Sequence, residues 1–276
     1  MHRDTPKPAW LEYSVSKRDT TVSFDFDFVK LGVALKTFKH ETFMLSCKIR
    51  RGIPQLVSTV SAKELEHWTK ACSDAGASQI QEKDLLVDIN ENLHILPLYP
   101  TRPLVLHYPK DLLLCPASET VVFAVSLVNT GLFRGEAALY TWDTIQTPKK
   151  TLYGEPSAGI IANTFEEAFM EQEAEAEELA RRYPLCVLHP LHILNKSGES
   201  IAIKDLLINY PQLSIYEHNG YLTSERIRYE IGVQRIAISA EAQTHLKTAH
   251  RIQKPAVSEP NFVLQGFQLF RNMVGF

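Results

Sequence analysis

Cysteine is scarce in this chain and never locally paired. The 276 residues hold four cysteines, Cys47, Cys72, Cys115 and Cys186, far apart and without a C-x-x-C pair. A small secreted framework would be denser in cysteine, and a structural zinc site would pair its ligands locally. Free thiols in a reducing compartment are therefore expected. Long apolar runs are missing too. No stretch reaches the roughly eighteen residues of a membrane span, so no transmembrane helix is expected. The opening MHRDTPKPAW carries no apolar h-region of a secretory signal. A soluble, cytoplasmic protein is expected. Nor does one charge sign dominate: 29 basic and 32 acidic residues leave a formal net charge of -3. That balance supplies no global field for nucleic acid or an anionic membrane, and neither is expected as a partner. Two basic clusters, Lys48, Arg50 and Arg51 and then His245, Lys247, His250, Arg251 and Lys254, read as solvated surface.

The familiar catalytic signatures are also absent. There is no G-x-G-x-x-G and no G-x-S-x-G elbow. Gly154 and Gly159 have the G-x-x-x-x-G spacing of a phosphate loop, but Ile160 and Ile161 stand where lysine and a hydroxyl residue must reach the phosphates. The glycines fit a tight turn instead. Cys186 and His189, and likewise His189 and His192, are three apart, a spacing that splits the two faces of a strand. Cys186 is expected to be buried. Asp25 and Asp27 share a face, but it is the polar face opposite Val22, Phe24, Phe26 and Phe28. No metal and no cofactor is expected.

What is present is β-rich. Residues 22–28 alternate apolar and polar with period two, the pattern of a half-buried strand. ETFMLSCKI at 41–49 reads as a second strand, in a hairpin with VALKTF. TVVFAVSLVN at 120–129 is uncharged and β-branched, a buried strand. Asn129-Thr130-Gly131 is read as the turn after it. The runs LCVLHPLHILN, SIAIKDLLIN, QLSIYEHNGYLTSERIRYEIG and VQRIAIS continue the pattern beyond residue 184. Pro97, Pro100, Pro103, Pro109 and Pro116 stud residues 96–116, and proline lacks a ladder donor, so no central strand is expected through these positions. Two helices are expected. One spans 62–75, with Ser61 and Glu64 as a capping box and Leu65, Trp68 and Cys72 on one face. The other, at 166–182, is rich in Glu and Ala and reads as a solvated connector. The fold class is mainly β, of sandwich type, with two strand-rich lobes. A flexible arm over 1–20 precedes a lobe over 21–165, and the helical connector leads to a lobe over 183–276.

Lys149-Lys150-Thr151-Leu152-Tyr153-Gly154, continued by Pro156, Gly159, Ile160 and Ile161, resembles the K-x-x-L-Y-G-x-P-x-x-G-x-I motif of the prokaryotic family called domain of unknown function 432. The run Leu96-Pro97-Leu98-Tyr99-Pro100 with Pro103, the Asn-x-Ser-Gly-Glu unit within 194–199, and the closing Met273-Val274-Gly275-Phe276 match it as well. The resemblance implies one family domain from about residue 21 to 276. In the family pattern an arginine and an aromatic follow the paired isoleucines. Here Asn163 and Thr164 stand there, which departs from it. The resemblance implies kinship of fold and supplies no activity.

With every tested catalytic signature absent, the sequence points to a non-enzymatic binding or regulatory module, with a protein or small polar ligand as partner. Lys149, Lys150, Tyr153, Gly154 and Gly159 are the candidate ligand-binding residues: the glycines permit a strained turn and the lysines stand at its entrance. Tyr140, Trp142, Tyr153, Tyr216 and Tyr221 supply further aromatics near turns. The alternative is an enzyme with a dispersed active site around 140–161.

Overall fold

A computed structural model describes residues 12–14, 21–25, 29–39, 42–51, 80–88, 92–135, 137–142, 149–153, 160–166, 169–182, 185–233, 236–241, 244, 246–255, 261–264 and 274–275. In chain order the strands are β1 Glu12–Ser14, β2 Thr21–Asp25, β3 Val29–Lys39, β4 Thr42–Arg51, β5 Ile80–Asp88, β6 Asn92–Leu98, β7 Leu104–Leu114, β8 Glu119–Leu127, β9 Asn129–Arg134, β10 Ala137–Trp142 and β11 Lys149–Tyr153. They continue as β12 Ile160–Glu166, β13 Phe169–Met170, β14 Cys186–Asn195, β15 Ile201–Ile208, β16 Ile215–His218, β17 Tyr221–Thr223, β18 Ile227–Ile231, β19 Ile236–Ala240, β20 His250–Gln253, β21 Asn261–Leu264 and β22 Val274–Gly275. Among the described residues one helix, α1 Glu173–Arg182, stands between β13 and β14, and one 3₁₀ turn, Tyr210–Gln212, follows β15. The chain is mainly β, as its alternating apolar patterns require.

Contacts divide the chain into two units: Met1–Leu98, Val128–Gln146 and Tyr183–Leu185 form the first, and Tyr99–Leu127, Thr147–Arg182 and Cys186–Phe276 the second. The first unit holds two four-stranded sheets, β2-β3-β4-β5 and β1-β6-β9-β10. The β3–β4 hairpin expected from VALKTF and ETFMLSCKI is there, with Leu35 opposite Leu45. Asn129-Thr130-Gly131 is not a turn: it opens β9, pairing with Leu98, Pro97 and Leu96 of β6. Gly131 is there because a side chain would not fit. A Cβ on it would lie 2.6 Å from Leu98 Cδ1 and 2.7 Å from Phe133 Cε2. Gly131→Ala is therefore expected to lower stability by about 1–3 kcal/mol, the usual cost of overpacking, seen as a lower denaturation midpoint at unchanged m-value.

The second unit is a sandwich. Its five-stranded sheet runs β11-β12-β7-β15-β22. Its nine-stranded sheet runs β20-β16-β17-β14-β18-β19-β21, with β8 on the other edge of β14 and β13 beyond β8. The two sheets share one core, in which Leu104, Leu106, Leu206 and Ile208 of one pack with Val122, Leu191, Ile193 and Tyr229 of the other. The Tyr229 hydroxyl is buried there and donates to the Leu207 carbonyl at 2.9 Å.

Proline does run through central strands, against the sequence expectation. Pro97 lies in β6 and Pro109 in β7, each between two neighbours, and Pro190 lies in the centre of β14. Among the described residues, each falls where one edge has no strand partner. Beside β6, the described part of β1 pairs up to His94. Pro109 sits in the gap between the two stretches of β7 that pair with β15, 104–107 and 112–114. Pro190 sits where β17 has ended, after its pairing with Leu188, and β18 has not begun, at Leu191. A missing N–H costs little where no acceptor faces it.

The acidic stretch is helical over Glu173–Arg182; residues up to Glu166 belong to β12, and Phe169–Met170 pair with β8. Glu173 and Glu175 sit in the first turn and Arg181 and Arg182 in the last, favourable to the helix dipole. Ala176 and Ala180 are buried on one stripe. The helix expected at 62–75 lies outside the described residues.

Candidate functional site

Pleating in β8 and β14 brings two polar side chains into the core. The strands are antiparallel, with Val187 opposite Ser126 and His189 opposite Ala124. Alternation puts Val122, Ala124 and Ser126 on the face that carries Val187, His189, Leu191 and Ile193. Ser126 and His189 are then diagonal neighbours on an otherwise apolar surface, and their Oγ and Nε2 lie 2.7 Å apart. On the other side, Nδ1 of His189 lies 2.9 Å from Ser224 Oγ. Ser224 is anchored by its own N–H, which donates to the Leu188 carbonyl at 3.0 Å.

The direction of these bonds follows from the last link. The Ser224 hydroxyl donates to the Glu225 backbone carbonyl at 2.8 Å, so it accepts from His189 Nδ1–H. That fixes the neutral Nδ1–H tautomer and leaves Nε2 to accept from Ser126. Ser126, His189 and Ser224 all have 0% exposure. Desolvation pushes the imidazole pKa down to about 3.

Aromatics and one carboxylate enclose the chain. The Tyr210 phenol reaches Ser126, and burial raises its pKa. Tyr99 stacks on Tyr210 at 4.9 Å and 14°. Glu225, nearly buried, accepts the Ser214 N–H at 2.8 Å with one oxygen and the Tyr216 hydroxyl at 3.2 Å with the other. Burial, reinforced by the Glu225 charge, raises the Tyr216 pKa.

A serine hydroxyl on an imidazole nitrogen is the geometry of an activated nucleophile. Two features oppose that use here. The pair has no solvent contact, and an imidazole held near pKa 3 is a weak base at neutral pH. The orienting third group is a serine hydroxyl, which cannot stabilise an imidazolium as a carboxylate does. As it stands, the arrangement is a satisfied polar network inside a sandwich.

None of the residues singled out as ligand-binding belongs to this cluster. Lys149, Lys150 and Tyr153 lie on β11, the last strand of the five-stranded sheet, opposite Asn163, Ala162 and Ile160 of β12. Gly154 and Gly159 lie outside the described residues. Of the turn aromatics, Tyr216 joins the cluster, while the Tyr221 hydroxyl donates to Glu177 at 3.0 Å and its ring lies 5.1 Å from the Arg181 guanidinium. His192 lies on the opposite face of β14 from His189 and pairs with Glu119 at 3.0 Å. Cys186 is a buried free thiol, its pKa raised by burial, and Cys115 is free and exposed. Among the described residues, no three His, Cys, Asp or Glu side chains gather as a metal site, and no helix is long and apolar enough to cross a membrane.

Sequence reasoning missed the cluster because it looked for local motifs, whereas Ser126 and His189 are 63 residues apart. The usable signal was polarity out of phase: His189 interrupts the apolar stripe Val187, Leu191, Ile193, and Ser126 ends the stripe Val122, Ala124. No curated protein and no solved structure matches the chain. A family profile described as protein of unknown function (DUF432) does match, over residues 10–271, and the chain belongs to that family.

Proposed function

We propose that this chain is a non-enzymatic binding or regulatory module, soluble and cytoplasmic, that takes a protein or a small polar ligand. The observation that carries the reading is the burial of the Ser126–His189–Ser224 chain: both serine hydroxyls bonded to this imidazole, and the imidazole itself, have no solvent exposure. Chemistry in the core is thereby turned to holding the scaffold. The ligand site we assign is the β11 end of the five-stranded sheet, with Lys149, Lys150, Tyr153, Gly154 and Gly159. Support comes from position: among the described strands β11 ends the sheet, and an edge strand leaves one row of backbone groups without a partner strand. Consecutive strand positions belong to opposite faces, so an anion on one face meets one of the two lysines.

The test is a thermal-shift screen of small anions and metabolites alongside an ester- and amide-hydrolysis panel. The module reading expects Lys150→Ala to leave the melting temperature within about 1 °C, as for an ordinary surface substitution, while abolishing stabilisation by the anion that the unmutated chain binds. It expects no turnover by the unmutated chain. Hydrolysis that disappears in Ser126→Ala would establish an enzyme instead.

A further inference from the structure

Tyr99 joins the buried cluster from outside the strands. It opens the connector between β6 and β7, residues 99–103, in which Thr101 and Arg102 are exposed. Its ring lies on the face of Tyr210, 5.9 Å from the His189 ring, and its hydroxyl donates to the Ser214 carbonyl at 3.2 Å. Ser126, His189, Tyr210 and Ser224 are sealed, while Tyr99 stays partly exposed. Tyr99 is thus the member of the cluster that keeps some solvent contact, although burial of its phenol raises its pKa; the ring stacks on Tyr210 and the hydroxyl bonds the Ser214 carbonyl within reach of the Ser224 side chain, on a connector that belongs to no strand.

The space it fills has definite preferences. The Tyr210 face offers stacking for a flat ring. The Ser214 carbonyl offers an acceptor and so asks for a donor. The Glu225 carboxylate lies beside it, accepting the Ser214 N–H at 2.8 Å. The same carboxylate repels an anion. A neutral aromatic ring bearing one hydroxyl donor satisfies all three; a benzoate or a ring without a donor does not.

We infer that Tyr99 is an internal occupant of a binding site for a neutral phenolic ligand, and that its ring leaves when such a ligand enters. The inference rests on the reading of the chain as a binding module and goes beyond it: this is a second site, apart from the one assigned to β11, its ligand class is phenolic and Tyr99 is its gate. Because the ring competes with the ligand, the unmutated chain binds with an affinity reduced by the fraction of time the site is open.

Calorimetric titration of the full chain with 4-methylphenol, toluene and benzoate tests this. The unmutated chain is expected to bind 4-methylphenol weakly. Tyr99→Phe, which keeps the ring but drops its hydrogen bond, is expected to bind it a few-fold more tightly, and Tyr99→Ala at least ~10-fold more tightly, the gain from a standing open site. Toluene and benzoate are expected to bind at least ~10-fold more weakly than 4-methylphenol, a factor set by the unmet acceptor and the nearby carboxylate. Should Tyr99→Ala fail to fold, Tyr99→Phe against the unmutated chain decides alone. Equal binding of toluene and 4-methylphenol would mean an apolar hole and would overturn the inference. So would binding by the variants with none by the unmutated chain, since Tyr99 would then be a fixed part of the core. Neither result touches the module reading, which falls only if the chain proves to be an enzyme.

Discussion

Replacing Asn195 by aspartate is expected to destabilise the protein by at least about 3 kcal/mol, a large share of an ordinary domain's stability. Asn195 ends β14 with 1% exposure. Its Nδ2 donates toward three carbonyls, those of Leu114, Cys115 and Glu199, at 3.2, 2.9 and 2.7 Å. Its Oδ1 accepts the Ser197 N–H at 3.0 Å and the Ser197 hydroxyl at 2.7 Å. One amide thus ties the end of β7 to the turn that reaches β15, where Gly198 sits at φ +83°. Aspartate keeps the shape and the Oδ1 bonds, but turns the donor into an oxygen facing three carbonyls. Those acceptors lose their partner and a buried charge is added, the costliest combination for a polar group. Asn195→Ala removes the bonds without the repulsion and should cost less, about 2–3 kcal/mol. Denaturant unfolding of both variants checks the order; an aspartate variant as stable as the alanine one would contradict it.

Acid is the second large effect. The His189 imidazole has its pKa lowered from 6.5 to about 3 by burial, so between those values the unfolded chain binds a proton that the folded chain refuses. The stability due to neutral His189 is complete above pH 6.5 and is lost as pH falls toward 3, below which both states are protonated and the loss levels off. At about 1.4 kcal/mol per unit the total reaches up to about 5 kcal/mol. Unperturbed carboxylates titrate in the same range, so the contribution is read as a difference. His189→Gln, which can still accept from Ser126 and donate to Ser224, should be less stable at pH 7 but lose less stability between pH 6.5 and 4. Equal pH slopes for the two proteins would mean that His189 is not shielded from water.

The strands were legible where burial is one-sided or complete. β8 has no charge after Glu119, and β3 with β4 alternates around a short turn, so local sequence and tertiary context agree. The prolines misled because the rule that bars them from central strands concerns a donor with a waiting acceptor, and the sequence does not reveal where a neighbouring strand stops. Gly131 misled for a similar reason: as a letter it suggests a turn, but its cause is the Phe133 ring and Leu98 pressing on the same spot. The Ser126–His189–Ser224 chain was hidden by separation. Each residue alone is an ordinary polar position; the antiparallel register of β8 on β14 joins Ser126 to His189, and the run of β17 beside β14 brings in Ser224.

The division into units has a consequence for biosynthesis. The chain passes from one unit to the other five times, at 98/99, 127/128, 146/147, 182/183 and 185/186. Neither unit is a continuous stretch: the first has all its segments only once Leu185 has been made, and the second needs strands well beyond that point. β8 is made early but finds its long partner only when β14 emerges, and β14 is flanked on its other edge only once β17 and β18 arrive. Such non-local pairing makes folding slow and leaves sheet edges open meanwhile. The second unit therefore cannot close until the strands after β14 have been made, and stop codons or proteolytic cuts in the middle of it should yield insoluble fragments rather than a working half.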